Sequence, residues 1–193
     1  MILTIASEHV PSVSTDIAAS LAAAIARRRA RAGRNVLLVY QNPKMPQAGW
    51  LATAIKTGAE IRSIAAQDIG AELAASKSSY HDILVHLPKR DDDGSRGALA
   101  NADLALFAIG AEDSQADGLL AASMQAASAL RPDLPLVALI DDSPAGQQLM
   151  SNLSASIDGL RFLHLSATKR DDASLGALYQ ALYGHCCSAC ACA

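Results

Sequence analysis

Apolar residues in this chain fall into short, branched-aliphatic runs separated by longer alanine-rich stretches, and the two alternate from end to end. Ile2 to Ala6 is an apolar run long enough for a buried strand. A polar, proline-containing turn follows from Ser7 to Ser14. From Thr15 to Arg27 the pattern becomes helical, with Ile17, Leu21 and Ile25 recurring every four residues. Ser14 or Thr15 is the expected N-cap, Asp16 suits the positive end of the helix dipole, and Gly33 is placed to end the helix. Asn35 to Tyr40 is a second apolar strand. This strand–helix–strand unit predicts a parallel, right-handed pairing of the first two strands.

The alternation continues. The pattern predicts a short helix over residues 50–56, a weak strand over 61–64 and a helix over 69–76. A strand is expected from Ile83 to Leu87 and a solvated loop from Asp91 to Gly97. The next elements are a strand over 102–109, a helix over 117–130 and a strand over 136–140. A helix over 146–156, a strand over 161–165 and a closing helix over 173–183 complete the series. Met124, Leu119 and Leu120 are expected in the core. Strands and helices in this rhythm predict an α/β domain of three layers, a doubly wound and mostly parallel sheet, over residues 1–183. Residues 184–193 are too small and polar for a core and are expected to form a disordered tail.

Composition narrows the function classes. The 193 residues are 51% hydrophobic but only 4% aromatic, as alanine-rich helices on an aliphatic sheet require. A net charge of −3 excludes a uniformly basic nucleic-acid binder and leaves room for a local patch. No window approaches the ~20 apolar residues of a membrane span. The start lacks the basic region of a signal peptide, so a cytoplasmic location is expected. All four cysteines lie in the last eight residues, so no disulfide is expected to hold the body together.

In a doubly wound sheet the ligand sits beyond the carboxyl ends of the strands, at the turn after the first. Several segments resemble the ParA/MinD family of P-loop ATPases, in matching order over about residues 1–183. They are the opening strand and alanine-rich helix, Gly33-Arg-Asn-Val-Leu-Leu-Val39, Tyr80-His-Asp-Ile-Leu-Val-His-Leu-Pro88, Ala100-Asn-Ala-Asp-Leu-Ala-Leu-Phe107 and Arg131-Pro-Asp-Leu-Pro-Leu-Val-Ala-Leu-Ile140. Pro43 followed by Trp50 is most similar to the small plasmid-partition and conjugative-transfer branch.

The resemblance implies a nucleotide loop at His9-Val-Pro-Ser-Val-Ser-Thr-Asp16, where the family carries Lys-Gly-Gly-Val-Gly-Lys-Thr-Thr. A phosphate cradle needs glycines so that backbone N–H groups can turn inward. Here Val10, Pro11 and Val13 stand at the glycine positions, and proline has no N–H to give. Ser14 stands for the phosphate-binding lysine, His9 for the signature lysine, and Thr15 alone matches. Asp16 adds negative charge. Tyr40 and Asn42 stand where the family has the two carboxylates of Asp-x-Asp-Pro, and His86 stands for the acid that organises magnesium. Phosphoryl transfer depends on positioned cations and a held water. The joint loss therefore predicts a vestigial site with no catalytic residue, no metal, and neither ATP nor magnesium as cofactor. The expected function is that of a noncatalytic scaffold, positioning or partition module acting through a protein partner or as a homodimer. The alternative is a divergent ATPase that still binds ATP through Thr15 in plasmid or chromosome partition or DNA transfer.

Other clusters carry two readings each. His9 and His86 either fill space left by phosphate and magnesium, or face each other as a metal or pH-sensing pair. Arg27, Arg28, Arg29, Arg31 and Arg34 either complement the helix dipole or form a basic patch for nonspecific DNA or an acidic partner. The Asp91–Asp93 run is expected to be solvated surface. Trp50 is either a packing residue or a partner anchor. His185-Cys-Cys-Ser-Ala-Cys-Ala-Cys192 has metal-ligand spacing at Cys187 and Cys190 but no second ligand pair in the body, so a disordered tail is the expected state.

Overall fold

A computed structural model describes residues 1–7, 13–41, 58–87, 93–108, 116–140, 142–164 and 172–183. The elements, in chain order, are β1 (Ile2–Ser7), α1 (Val13–Arg31), β2 (Val36–Gln41), β3 (Glu60–Ile64) and α2 (Ile69–Ser76). They continue with β4 (Asp82–Leu87), α3 (Asp93–Asn101), β5 (Leu104–Ala108), α4 (Ala116–Leu130) and β6 (Leu136–Ile140). The last are α5 (Pro144–Ser156), β7 (Arg161–His164) and α6 (Asp172–Tyr183). The residues expected to form a helix over 50–56, and the tail over 184–193, lie outside the described residues.

The seven strands form one sheet in the order β3-β2-β4-β1-β5-β6-β7, and every pair is parallel. This corrects the expected pairing of the first two strands: β1 and β2 run the same way, but β4 lies between them. The reason is one of widths. A helix is ~10 Å across and strands are ~4.8 Å apart, so α1 covers two strand positions and the chain re-enters two places away. β4 fills the gap and is buried along its whole length.

Helices cover both faces. On one, α1 and α6 pack Ala18, Leu21, Ala22, Ile25, Leu178 and Leu182 against Leu3, Ile5, Leu38, Leu84 and Leu106. On the other, α2 to α5 contribute Ile69, Leu73, Ala98, Leu99, Met124, Leu149 and Leu153. Met124 is fully buried, as expected; the side chains of Leu119 and Leu120 are outside the described residues. Gly33, at φ +77°, closes α1 as expected: its N–H donates to the Ala30 carbonyl at 3.0 Å, and the Arg34 N–H donates to Arg29 at 3.2 Å. The α1 start differs. The helix already runs from Val13, so Ser14 and Thr15 occupy its first turn rather than the cap. At α5 the cap is Ser143, whose Oγ accepts from the Gly146 N–H at 3.0 Å, with Pro144 as the first helical residue.

The second correction concerns the expected loop over 91–97, of which residues 93–97 form the first turns of α3. Two glycines in five residues read as a helix breaker, but tertiary contact requires them. A Cβ on Gly97 would lie 3.0 Å from the Gly70 nitrogen and 3.2 Å from its Cα. The backbones of α2 and α3 touch there, and Asn101 Nδ2 ties them by donating to the Gly97 carbonyl at 2.9 Å and to that of Gly70 at 3.3 Å. Gly97→Ala is expected to lower stability by about 1–3 kcal/mol, because the overpacking exceeds the ~1 kcal/mol gained in helix propensity. Urea denaturation measures it; an unchanged or raised midpoint would refute the close crossing.

Candidate functional site at the carboxyl edge of the sheet

Because every strand is parallel, every strand-to-helix turn leaves from the same edge, and that is where the resemblance locates the nucleotide site. His9 and Asn42 lie outside the described residues, as do the other turn residues 8–12. Ser14 and Thr15 are placed by their backbone in the first turn of α1, and their side chains are outside the description. The structure does bring two of the expected residues together. Tyr40, in β2, is in register with His86 in β4, and His86 is in register with Ile5 in β1. Strand alternation puts Tyr40 and His86 on the face shared by Leu38 and Leu84, under α1.

His86 is 7% exposed, and burial pushes its imidazole pKa down to about 4. It is thus neutral at physiological pH, and neither it nor Tyr40 offers a carboxylate to a magnesium ion. Gln41 points to the opposite face; its Nε2 would meet a Cβ on Gly94 at 3.1 Å. Among the described residues no group of three or more His, Cys, Asp or Glu side chains could hold a metal ion.

The sign of the His86 pH effect follows from its lowered pKa. Between pH 6.5 and about 4 the unfolded chain binds a proton here that the folded chain does not. Stability therefore falls as pH falls through that window, by on the order of 3 kcal/mol. His86→Gln is expected to flatten this limb of the stability–pH curve, read from denaturant midpoints at a series of pH values. Equal slopes in variant and parent would rule His86 out as the group responsible.

The arginine run lies at the other edge. α1 ends beside the amino ends of the strands, where Asp82, the first residue of β4, is 1% exposed. Arg29 holds it with two bonds, Nε at 2.7 Å and Nη2 at 3.0 Å. Nη1 donates to the Tyr179 hydroxyl at 3.0 Å, and the guanidinium lies 4.6 Å above the Tyr183 ring. Burial alone would lower the Arg29 pKa; the bonds to Asp82 and Tyr179 outweigh it and hold the group above its ordinary value. Arg28 lies 4.7 Å above the Tyr179 ring, and the two tyrosine rings stack at 4.8 Å. The expected patch is therefore divided. Arg29 is structural, fixing α6 and β4 to α1, and Arg34 reaches Asp82 at 3.5 Å. Arg27 is half-buried, while Arg28 and Arg31 are exposed.

Sequence reasoning did not foresee this cluster. Its signal was present: an acid at the head of an otherwise apolar strand, following an arginine-rich helix end. Asp82→Ala leaves the Arg29 cation without its partner and is expected to cost on the order of 3 kcal/mol. Arg28→Ala, at the surface, is expected to cost less than about 1 kcal/mol. Denaturation of both variants tests the ranking, and equal losses would remove the buried pair from its central place.

No family model matches this sequence, and no curated protein matches it in sequence. Solved structures match it in fold. A plasmid partition protein from Borrelia burgdorferi superposes with a TM-score of 0.67 over 95% of this chain and 98% of that one, at 14% identity. Cobyrinic acid a,c-diamide synthase from Mycobacterium smegmatis, solved with ADP and magnesium, gives 0.66 over 98% and 97%, at 13% identity. McdA from Cyanthece gives 0.56 over 93% and 90%, at 10% identity. The chain thus has the three-layer parallel α/β fold of these proteins.

Proposed function

We propose that the protein is a ParA-like pseudo-ATPase, a scaffold or positioning module that works by docking a protein partner or a second copy and does not turn over ATP. The observation that carries this reading is His86. At the strand end where the resemblance implies a magnesium-organising acid, the chain has a buried imidazole that burial keeps neutral, in register with Tyr40 where a second acid would stand. A magnesium–triphosphate needs anionic ligands for its cation and cationic ligands for its phosphates. Tyr40 and His86 supply neither, and Ser14 supplies no charge. These residues do not fit the group.

The fold itself supports the positioning half of the reading. A plasmid partition protein and McdA share it, and a fold outlasts its chemistry when what it presents to partners is its surface. The residues of the vestigial site are His9, Ser14, Thr15, Tyr40, Asn42 and His86. Nonspecific DNA contact through Arg28 and Arg31 would be constitutive, since these lie at the edge opposite the nucleotide turn. Among the described residues no helix is long and apolar enough to cross a membrane.

Thermal melting with and without about 1 mM ATP and magnesium tests the proposal. A site with a dissociation constant of ~10 μM would add about 2.7 kcal/mol, a rise of roughly 5–10 °C for a chain of this size. No shift is expected. A rise of that size would sink the pseudoenzyme reading in favour of a divergent ATPase.

A further inference from the structure

β7 is an end strand of the sheet, so one row of its backbone N–H and C=O groups faces away from the other strands. Among the described residues no backbone group pairs with that row. The other end strand, β3, is guarded by ions. Its Glu60 and Arg62 are bonded at 2.8 Å, and Arg62 also donates to Glu72 of α2 at 2.6 Å and to the Tyr80 hydroxyl at 2.9 Å. Charged side chains on an edge strand oppose its pairing with another chain. On β7 the ionisable side chains stand only at the ends. Arg161 donates to the Ala181 carbonyl at 3.2 Å, and His164 Nδ1 lies 3.1 Å from Asp142 Oδ1. The middle of the strand is Phe162 and Leu163, both partly buried.

The helices that flank β7 have a second, independent property. α5 packs with Phe162 in one core cluster and α6 with Leu163 in another, on opposite faces of the sheet. α5 contains no charged residue over Pro144–Ser156, and α6 contains none after Asp172. α5 nonetheless exposes Gln147, Gln148, Ser151, Asn152, Ser154 and Ala155. Its polar groups are largely bonded within the helix. The Ser151, Ser154 and Ser156 hydroxyls donate to the carbonyls four residues back at 3.1, 2.7 and 2.9 Å, and Gln148 Nε2 donates to Asn152 Oδ1 at 3.2 Å. Such groups keep their bonds when water leaves, so covering this face carries a small desolvation penalty.

A two-fold contact sets the same patch against itself, so a charged patch repels its own copy and a neutral one does not. An unpaired strand edge likewise finds its complement in another strand edge. Both features point to one occupant, a second copy of this chain. We propose that two copies pair through β7, antiparallel across a two-fold axis, joining two sheets into one with α5 beside α5 and α6 beside α6. With Phe162 or Leu163 on the axis, neither Arg161 nor His164 stands opposite its own copy, where like charges would destabilise the pair. Four residues make only a short ladder, so the neutral helices supply most of the contact. β7 lies three strand positions from β1, about 14 Å across the sheet, so the contact needs no ligand at the turn after β1. The proposal rests on the scaffold reading for its purpose. Its test uses no nucleotide, so it can fail while the ATP experiment succeeds, or the reverse.

Sedimentation velocity on the full chain is expected to give a monomer at about 1 μM and a dimer at about 100 μM. Because the contact is neutral, the dimer is expected to persist at about 500 mM NaCl. Ser151→Glu with Asn152→Glu puts charge on both flanks of the exposed face of α5 and is expected to weaken association about tenfold or more. Ser151→Lys with Asn152→Lys is expected to do the same alone, and an equimolar mixture of the two variants to associate again. Both side chains are exposed, and unchanged melting curves verify that the variants fold. Hydrogen exchange locates the contact: the outward-pointing amides of β7 are expected to slow about tenfold at the higher concentration, while those of β3 do not change. A chain that stays monomeric at the higher concentration overturns the proposal, as does a dimer that salt dissolves. So does a dimer whose β7 amides exchange as in the monomer. Full protection of β7 already at dilution also overturns it, because the edge is then occupied within one copy.

Discussion

A parallel strand cannot follow its neighbour by a hairpin; the chain must cross back over the sheet before it can run the same way again. With all seven strands parallel, that constraint governs the whole molecule. Helices start at one edge and end at the other, and residues that favour the two ends of helix dipoles are sorted accordingly. Aspartates collect where helices begin and arginines where α1 ends. The polarity of the sheet thus decides which helix ends lie at which edge.

Where the core meets this polarity, polar chemistry is used structurally. Asp82 starts a strand that is buried on both faces, and a carboxylate there is tolerated because Arg29 satisfies it with two bonds. The same guanidinium contacts Tyr179 and Tyr183, so α1, β4 and α6 meet at one point. At the opposite end of β4 stands His86, which burial keeps neutral. One strand therefore carries an ion pair at one end and a neutral imidazole at the other, the latter at the carboxyl edge where the resemblance locates the nucleotide site.

Periodicity in the sequence located every described strand and helix except α3, with boundaries shifted by one or two residues at most other ends. It did so because apolar runs in a fully covered sheet are nearly continuous and the helices between them have a regular stripe. The misses have physical causes. Residues 93–97 read as a loop because Gly94 and Gly97 are poor helix formers alone; only the approach of α2 explains them. The neighbour order of β1 and β2 depends on a helix being two strands wide, which local pattern does not encode. At the site, the register of Tyr40 with His86 could be anticipated only through the family resemblance, and the Arg29–Asp82 pair is a contact across 53 residues that no local signal specifies.

The touching backbones of Gly70 and Gly97 bear on how such a chain can drift. A surface turn can change one residue at a time, since each step costs the fold little. The α2–α3 crossing has no such freedom. Any side chain at residue 97 meets the neighbouring main chain, and no change at residue 70 can move that main chain away without moving the helix. This pair of glycines would be a slower clock than the surface turns at the carboxyl edge, and a better landmark for aligning distant members.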